Sequence, residues 1–262
     1  MSEPTTPPTP SDLESASWRV LMGTAPEVKY GRRVFARLPG APRCKMCAAP
    51  FRPPFGAVFR VLGRSPWPAN PKYCRNCFHQ LSTDRAGAEI ECSLLFADVR
   101  GSTALAEGLR PREFRDRMDR FFAAATRVLV EADAVVDKYV GDEVMAIFIP
   151  GMAGGGHALH AVEAGRKLLT LPDQSLPIGV GVSTGLAFVG AVGAGEKVEM
   201  TAMGDTVNVA ARLASAAGPG ELLVTVEAAR VVGVADGERR SLLLKGKSEP
   251  VEVLALRVAN LS

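Results

Sequence analysis

After Glu89 the chain alternates between short apolar runs and stretches whose apolar residues recur every three or four positions, the pattern of strands and amphipathic helices packed on a sheet. IECSLLFADV (90–99) predicts the first strand. Pro111 suits an early helical position, and Phe114, Met118, Phe121, Ala125, Val128 and Leu129 follow at helical spacing, which predicts one long helix with a single buried face. AVVDKYV and EVMAIFIP predict two strands joined through Gly141 and Asp142, a hairpin-turn dipeptide whose glycine suits positive φ. GMAGGG (151–156) lacks the Lys-Ser/Thr of a phosphate-binding loop and reads as a connection to the helix HALHAVEAGRKLLTL. Two strands, LPIGVGVST and LAFVGAV, are expected next with a turn at Gly185 between them. The helix TVNVAARLASAAG, stopped by Gly-Pro-Gly, and the strands ELLVTV, SLLLKG and PVEVLAL complete the series. The order is βα(α)ββαββ with further strands, an α+β class.

The preceding residues follow no such pattern. At 262 residues, 47% hydrophobic and 23% charged, the chain has room for one sizeable domain and a smaller element. No apolar run approaches the roughly 20 residues that span a bilayer. The start, MSEPTTPPTPSDLES, lacks the basic and apolar stretches of an export signal, so a cytoplasmic location is expected. Residues 1–42 read as a partly disordered tail with a short helix. From Val28 to Thr83 there are eleven Lys or Arg residues and no Asp or Glu, although the net charge is only +3. A basic segment on an acidic body suits an acidic partner, nucleic acid, docking within the chain, or simply a solvated surface.

Four of the five cysteines form two C-x2-C pairs, Cys44 with Cys47 and Cys74 with Cys77, separated by 26 residues. Two such knuckles supply four thiolates for one tetrahedral Zn²⁺, and the Pro- and Gly-rich stretch between them has little core of its own. A zinc module over 43–80 is expected. Disulfides are the competing reading, disfavoured without an export signal, and a redox C-x-x-C does not need two matched pairs. His79 reads as a bystander, Cys92 as a small buried hydrophobe, and 81–89 as a linker. Phe51, Phe55, Phe59, Trp67 and Tyr73 suit either a small core around the metal or stacking on nucleic acid.

Asp98 ends a strand apolar enough to be buried, where an unpaired carboxylate is costly. If that strand lies beside the following hairpin, Asp98 and Asp142 converge, and each raises the other's pKa unless a divalent cation holds both ionised. A few oxygen ligands suit Mg²⁺ or Mn²⁺ completed by water and phosphate.

FADVRGST, KYVGDEVMAIF, GDTVNVAARL and LKGKSEPVEVLAL resemble, in order and spacing, the class III nucleotidyl cyclase domain, over roughly 89–258 within an expected domain of 88–258. The resemblance implies a ferredoxin-like βαββαβ core with extra strands and active sites shared between two domains. It implies that Asp98 and Asp142, helped by the Val99 carbonyl, hold two Mg²⁺ or Mn²⁺ ions for in-line attack of the ribose 3′-hydroxyl on the α-phosphate. It makes Asn208 the residue that positions the ribose, Arg212 the one that stabilises charge on the α-phosphate, and Lys245 a contact of the terminal phosphates. Lys138 matches the lysine that adenylyl cyclases direct at adenine N1, where guanylyl cyclases tend to carry Glu. Thr201 stands where many adenylyl cyclases have Asp, a departure that weakens the bond to the adenine amino group. ATP, cyclic AMP and a head-to-tail homodimer with two equivalent sites follow as expectations. Outside the resemblance, Asn208 would read as a helix cap and the two cations as surface charges.

Two further readings compete. GDEV (141–144) is similar to the GG(D/E)EF signature of diguanylate cyclases, but Val140 replaces the first Gly and Val144 the Phe. A non-catalytic regulator would bind nucleotide through its cyclase-like body and nucleic acid or protein through its basic zinc module. Retention of both Asp residues, Asn208 and Arg212 argues against it.

Overall fold

The computed structural model of the chain describes residues 10–68, 70–79, 86–171, 176–194, 197–234 and 237–257. The expected disorder of the first residues, and positions 81–85 of the expected linker, lie outside the described residues. Two compact units emerge: one of 1–67, 71–90 and 188–202, the other of 68–70, 91–187 and 203–262.

In the first unit, α1 (Pro10–Leu21) and α2 (Pro26–Phe35) replace the single short helix expected before residue 42. Pro26 opens α2 at a position where a missing N–H costs nothing, so the chain re-enters a helix four residues after leaving one. Next come α3 (Gly56–Val61), β1 (Pro66–Trp67), β2 (Asn70–Cys74) and α4 (Arg75–Phe78), with β1 and β2 forming a two-stranded ribbon. Phe51, Phe59, Tyr73 and Phe78 are buried, Trp67 stacks on Phe78 at 4.6 Å, and Phe35 meets Phe59 edge-on at 4.8 Å. These aromatics form the small core of the module, which is where the geometry puts them in preference to a stacking surface for bases.

The rest of the chain builds β3 (Gly87–Val99), α5 (Ser102–Gly108), α6 (Pro111–Glu131), β4 (Val135–Val140), β5 (Glu143–Phe148), α7 (Pro150–Ala153) and α8 (His157–Leu169). It continues through β6 (Ile178–Ala194), β7 (Lys197–Met203), α9 (Asp205–Ala216), β8 (Glu221–Thr225), α10 (Val226–Val232), β9 (Glu238–Leu242) and β10 (Val251–Arg257). The large sheet runs β4-β5-β3-β6-β8-β10-β9, with β7 paired to β6. β6 and β8 are parallel, while β3 with β5, β4 with β5, and β8 with β10 are antiparallel.

Strand alternation sorts the second unit's side chains onto two faces. Leu222, Val224, Leu254 and Leu256 join Met118, Phe121, Ala125, Val128 and Leu129 of α6 in the main core. Leu223, Val253 and Ala255 turn the other way, onto Val209 and Leu213 of α9. Strands buried on both sides therefore read as continuous apolar runs. Phe114, the first residue of the predicted α6 stripe, is only partly buried.

Four local expectations change. Gly185 makes no turn, because β6 is one strand of 17 residues. A Cβ there would meet Thr206 Oγ1 at 2.9 Å, and that hydroxyl donates to the Leu186 carbonyl at 2.8 Å, so the glycine serves close approach to α9. β7, unread in the sequence, pairs with β6. The strand ELLVTV ends at Thr225, whose hydroxyl accepts the Ala228 N–H and caps α10. The expected strand SLLLKG begins earlier and ends at Leu242, since β9 is a polar strand at the sheet edge and Leu244 leaves it to enter the α9 core.

Candidate active site and cysteine centre

The β4–β5 hairpin turns through Gly141 at φ +64, the left-handed conformation a glycine adopts without steric cost. That turn places Asp142 beside the end of β3, where the Val99 N–H donates to the Asp142 carbonyl at 3.4 Å. In the β3–β5 ladder Asp98 stands directly opposite Glu143. Asp98, Val99 and Asp142 are thus brought together, as the sequence led one to expect, with Glu143 as a third carboxylate.

The electrostatics of this cluster are unfavourable as it stands. Burial pushes the Asp98 carboxyl up, the Arg100 guanidinium pulls it down, and Asp142 adds to the rise. Burial, then Asp98 and Asp142, push Glu143 to about 7. Glu143 Oε1 is buried with no hydrogen-bond partner. Arg100 forms an ion pair with Asp98, donates to the Ser215 carbonyl at 2.8 Å at the end of α9, and its backbone N–H donates to the Pro177 carbonyl at 2.7 Å. Three clustered carboxylates against one guanidinium, with an orphaned carboxylate oxygen among them, fit a divalent cation with hard oxygen ligands. Sequence reasoning nominated neither Glu143 nor Arg100. The Asp-Glu dipeptide at the hairpin was the one local signal for Glu143.

On α9, Asn208 is exposed and Arg212 half-buried, four residues apart on one helical face. Lys245 is exposed on the turn after β9. That turn is tied to α9 twice. Lys247 Nζ lies 2.8 Å from an Asp205 carboxylate oxygen, and a Cβ built on Gly246 would stand 3.2 Å from the Arg212 guanidinium. Arg212 and the turn bearing Lys245 are therefore neighbours. Lys138 lies on edge strand β4, opposite Met145 just past a register shift, with its ammonium 3.9 Å from an Asp137 oxygen. Thr201 is buried on β7, in the first unit.

In that first unit the sulfurs of Cys44, Cys47, Cys74 and Cys77 all lie within 4.8 Å of one another, and His79 is not among them. Cys44 to Cys77 is 3.8 Å, Cys47 to Cys74 is 3.6 Å and Cys74 to Cys77 is 3.4 Å. The Cys74 N–H points at Cys44 Sγ at 3.3 Å, and Arg64 donates to Cys47 Sγ at 3.4 Å while lying over the Phe35 ring. Hydrogen bonds from the other thiols hold Cys47 well below the usual thiol range, and the same neighbours push Cys77 well above it. Four thiolates cannot coexist here without a cation. Cys92 stands apart, fully buried, its thiol pushed up to about 12 by burial and Glu91.

The sequence was compared with known proteins. Residues 86–255 match the family model of the adenylate and guanylate cyclase catalytic domain. The chain is 33% identical over 142 residues to adenylate cyclase 1 of Rhizobium meliloti, which covers 49% of this chain and 21% of that protein. It is 29% identical over 140 residues to the adenylate cyclase of Anabaena cylindrica, covering 49% of this chain and 28% of that one. The chain therefore spans less than a third of the length of these relatives. Among solved structures, the adenylyl cyclase CyaB from P. aeruginosa superposes with a TM-score of 0.59 at 26% identity, covering 66% of this chain and 97% of that one. The guanylyl cyclase Cya2 shares the fold, with a TM-score of 0.57 at 24% identity over 67% of this chain and 96% of that one. With the carboxylate pair, the α9 pair and the sheet order in place, and the family model matched over residues 86–255, the chain belongs to the adenylate and guanylate cyclase catalytic domain family.

Proposed function

We propose that the chain is an adenylyl cyclase that converts ATP to 3′,5′-cyclic AMP and pyrophosphate as a head-to-tail homodimer. The observation that carries this reading is the convergence of Asp98 and Asp142 at the end of β3, with the unsatisfied Glu143 carboxylate beside them. Asp98, Asp142 and the Val99 carbonyl would hold two Mg²⁺ or Mn²⁺ ions. When bound, such ions neutralise triphosphate charge and acidify the ribose 3′-hydroxyl.

The protein's own groups do the rest. Asn208 orients the ribose so that its 3′-oxygen lies in line with the bond between the α-phosphorus and the bridging oxygen. The new O–P bond forms as that bond breaks, the hydroxyl proton passes to water, and pyrophosphate leaves with the electron pair of the broken bond. Arg212 offers a planar pair of donors to the charge that builds on the α-phosphate, and Lys245 holds the terminal phosphates. Lys138 donates to adenine N1, and the Thr201 hydroxyl accepts from the adenine amino group. Each site would take its carboxylates from one protomer and Lys138, Thr201, Asn208 and Arg212 from the other.

The relatives named adenylate cyclase support ATP over GTP, as does Lys138. The test is product formation by the purified chain with ATP or GTP and Mn²⁺ or Mg²⁺, alongside Asp98→Ala. Cyclic AMP that vanishes in the variant is the expected result. Cyclic GMP as the dominant product would reverse the base assignment, and no cyclic product from a folded dimer would overturn the catalytic reading.

A further inference from the structure

Outside the cyclase site, the densest chemistry is the cysteine cluster of the first unit. We infer that Cys44, Cys47, Cys74 and Cys77 bind one structural Zn²⁺, and that this ion holds together the whole first unit, including the segment 188–202 that carries Thr201.

The donor geometry argues for the ion. Zinc–thiolate bonds of about 2.3 Å in a tetrahedron put the sulfurs about 3.8 Å apart. Three of the six sulfur separations, 3.4, 3.6 and 3.8 Å, lie close to that edge, and all six are within 4.8 Å. All four cysteines are buried, which suits a closed structural centre with no open position for substrate. Arg64 and the Cys74 N–H direct positive charge at two of the sulfurs, which offsets the net negative charge of a four-thiolate zinc centre.

A continuous series of contacts leads from this centre to the far segment, all of it within the first unit. Gly31 of α2 packs against Cys47, its Cβ position 3.4 Å from the Cys47 Cβ. The turn from α1 to α2 is tied by the Thr24 N–H and Ala25 N–H, both donating to the Arg19 carbonyl. On α1, the buried Ser17 hydroxyl accepts the Gly87 N–H at 3.1 Å. Gly87 and Gly190 then approach so closely that a methyl on Gly190 would sit 2.3 Å from the Ala86 carbonyl oxygen, and the Ala191 N–H donates to that oxygen at 2.6 Å. From Ala191 the chain runs through the end of β6 into β7 and Thr201. The aromatic core of this unit is small, so the ion supplies much of its folding free energy.

The experiment begins with metal analysis of the full chain as purified. One zinc per chain is expected, with the four thiols resisting alkylation until a strong chelator is added. Cobalt exchanged into the same site should show thiolate charge-transfer bands and tetrahedral d–d bands. Cys44→Ser and Cys77→Ser should lose the zinc. If they fail to fold, chelation and zinc re-addition on the unaltered chain provide the same comparison. Hydrogen exchange of 188–202 should accelerate on chelation and recover with zinc, while β8 and β10 stay protected. A folded, metal-free chain with four reactive thiols, a pair of disulfides, or bound iron would overturn the zinc assignment. Unchanged exchange of 188–202 after metal removal would overturn the second half. The meaning of Thr201 rests on the cyclase reading, but metal count and exchange do not, so the two readings fail separately.

Discussion

Asp98 and Glu143 face each other as a cross-strand pair between β3 and β5, two carboxylates opposed where the ladder reaches its end. Like charges directly opposite one another destabilise a sheet, and here burial adds to the repulsion. A cation bound at this point, as proposed, would convert a liability into a binding site.

Glu143→Gln should therefore act in two directions. Without divalent metal it removes a buried, unpaired charge and raises the melting temperature. With metal it weakens Mn²⁺ binding by about 10- to 100-fold, the usual effect of removing a partner around a metal site. Thermal melts and Mn²⁺ titration of the same preparation test both. A variant with wild-type Mn²⁺ affinity would leave Glu143 outside the site.

The proposed sharing of each site between two protomers would make inactive variants complementary. Asp98→Ala and Arg212→Ala should each abolish cyclase activity, yet an equal mixture should recover about a quarter of the wild-type rate, because half the dimers are mixed and one of their two sites is intact. A mixture as inactive as its parts would show that each site is built within one protomer.

The Asp205–Lys247 pair ties the turn carrying Lys245 to α9. Asp205 is exposed and Lys247 half-buried, so the pair is worth at most about 1 kcal/mol, near a fivefold change in affinity. Asp205→Asn should raise the KM for nucleotide by up to that factor with little change in melting temperature. The reversed pair, Asp205→Lys with Lys247→Asp, should restore it. An altered kcat at constant KM would contradict a positioning role.

His157 gives a stability signal separate from catalysis. Its Nδ1 lies 2.9 Å from the buried Ser93 hydroxyl, and burial first, then His160, lower its pKa against the opposing pull of Glu91. The unfolded chain takes up a proton near pH 6.5 and the folded chain only below it, so folding stability holds above about 6.5 and declines as the pH falls towards the folded value. His157→Gln should flatten that slope in denaturant melts taken between about pH 7.5 and 5.

Local chemistry was readable from the chain because short spacings fix short-range geometry. Two residues between cysteines make a knuckle, Gly-Asp makes a hairpin tip, and a spacing of four positions from Asn208 to Arg212 puts both on one helical face. The apolar stripe of α6 likewise announced its buried side. Tertiary pairing decided the rest. Glu143 became part of the carboxylate cluster only through its register with Asp98, and that register is set by which hydrophobic faces must meet across β3 and β5. Arg100 reaches the Ser215 carbonyl 115 residues away, which no spacing encodes. Gly185, a turn signal by itself, lies inside the long strand β6, and it is glycine there because Thr206 of α9 occupies the space a side chain would need. Spacing determines what neighbouring residues can do together. Burial of the core determines which distant residues become neighbours, and the charge of the carboxylate corner arises only there.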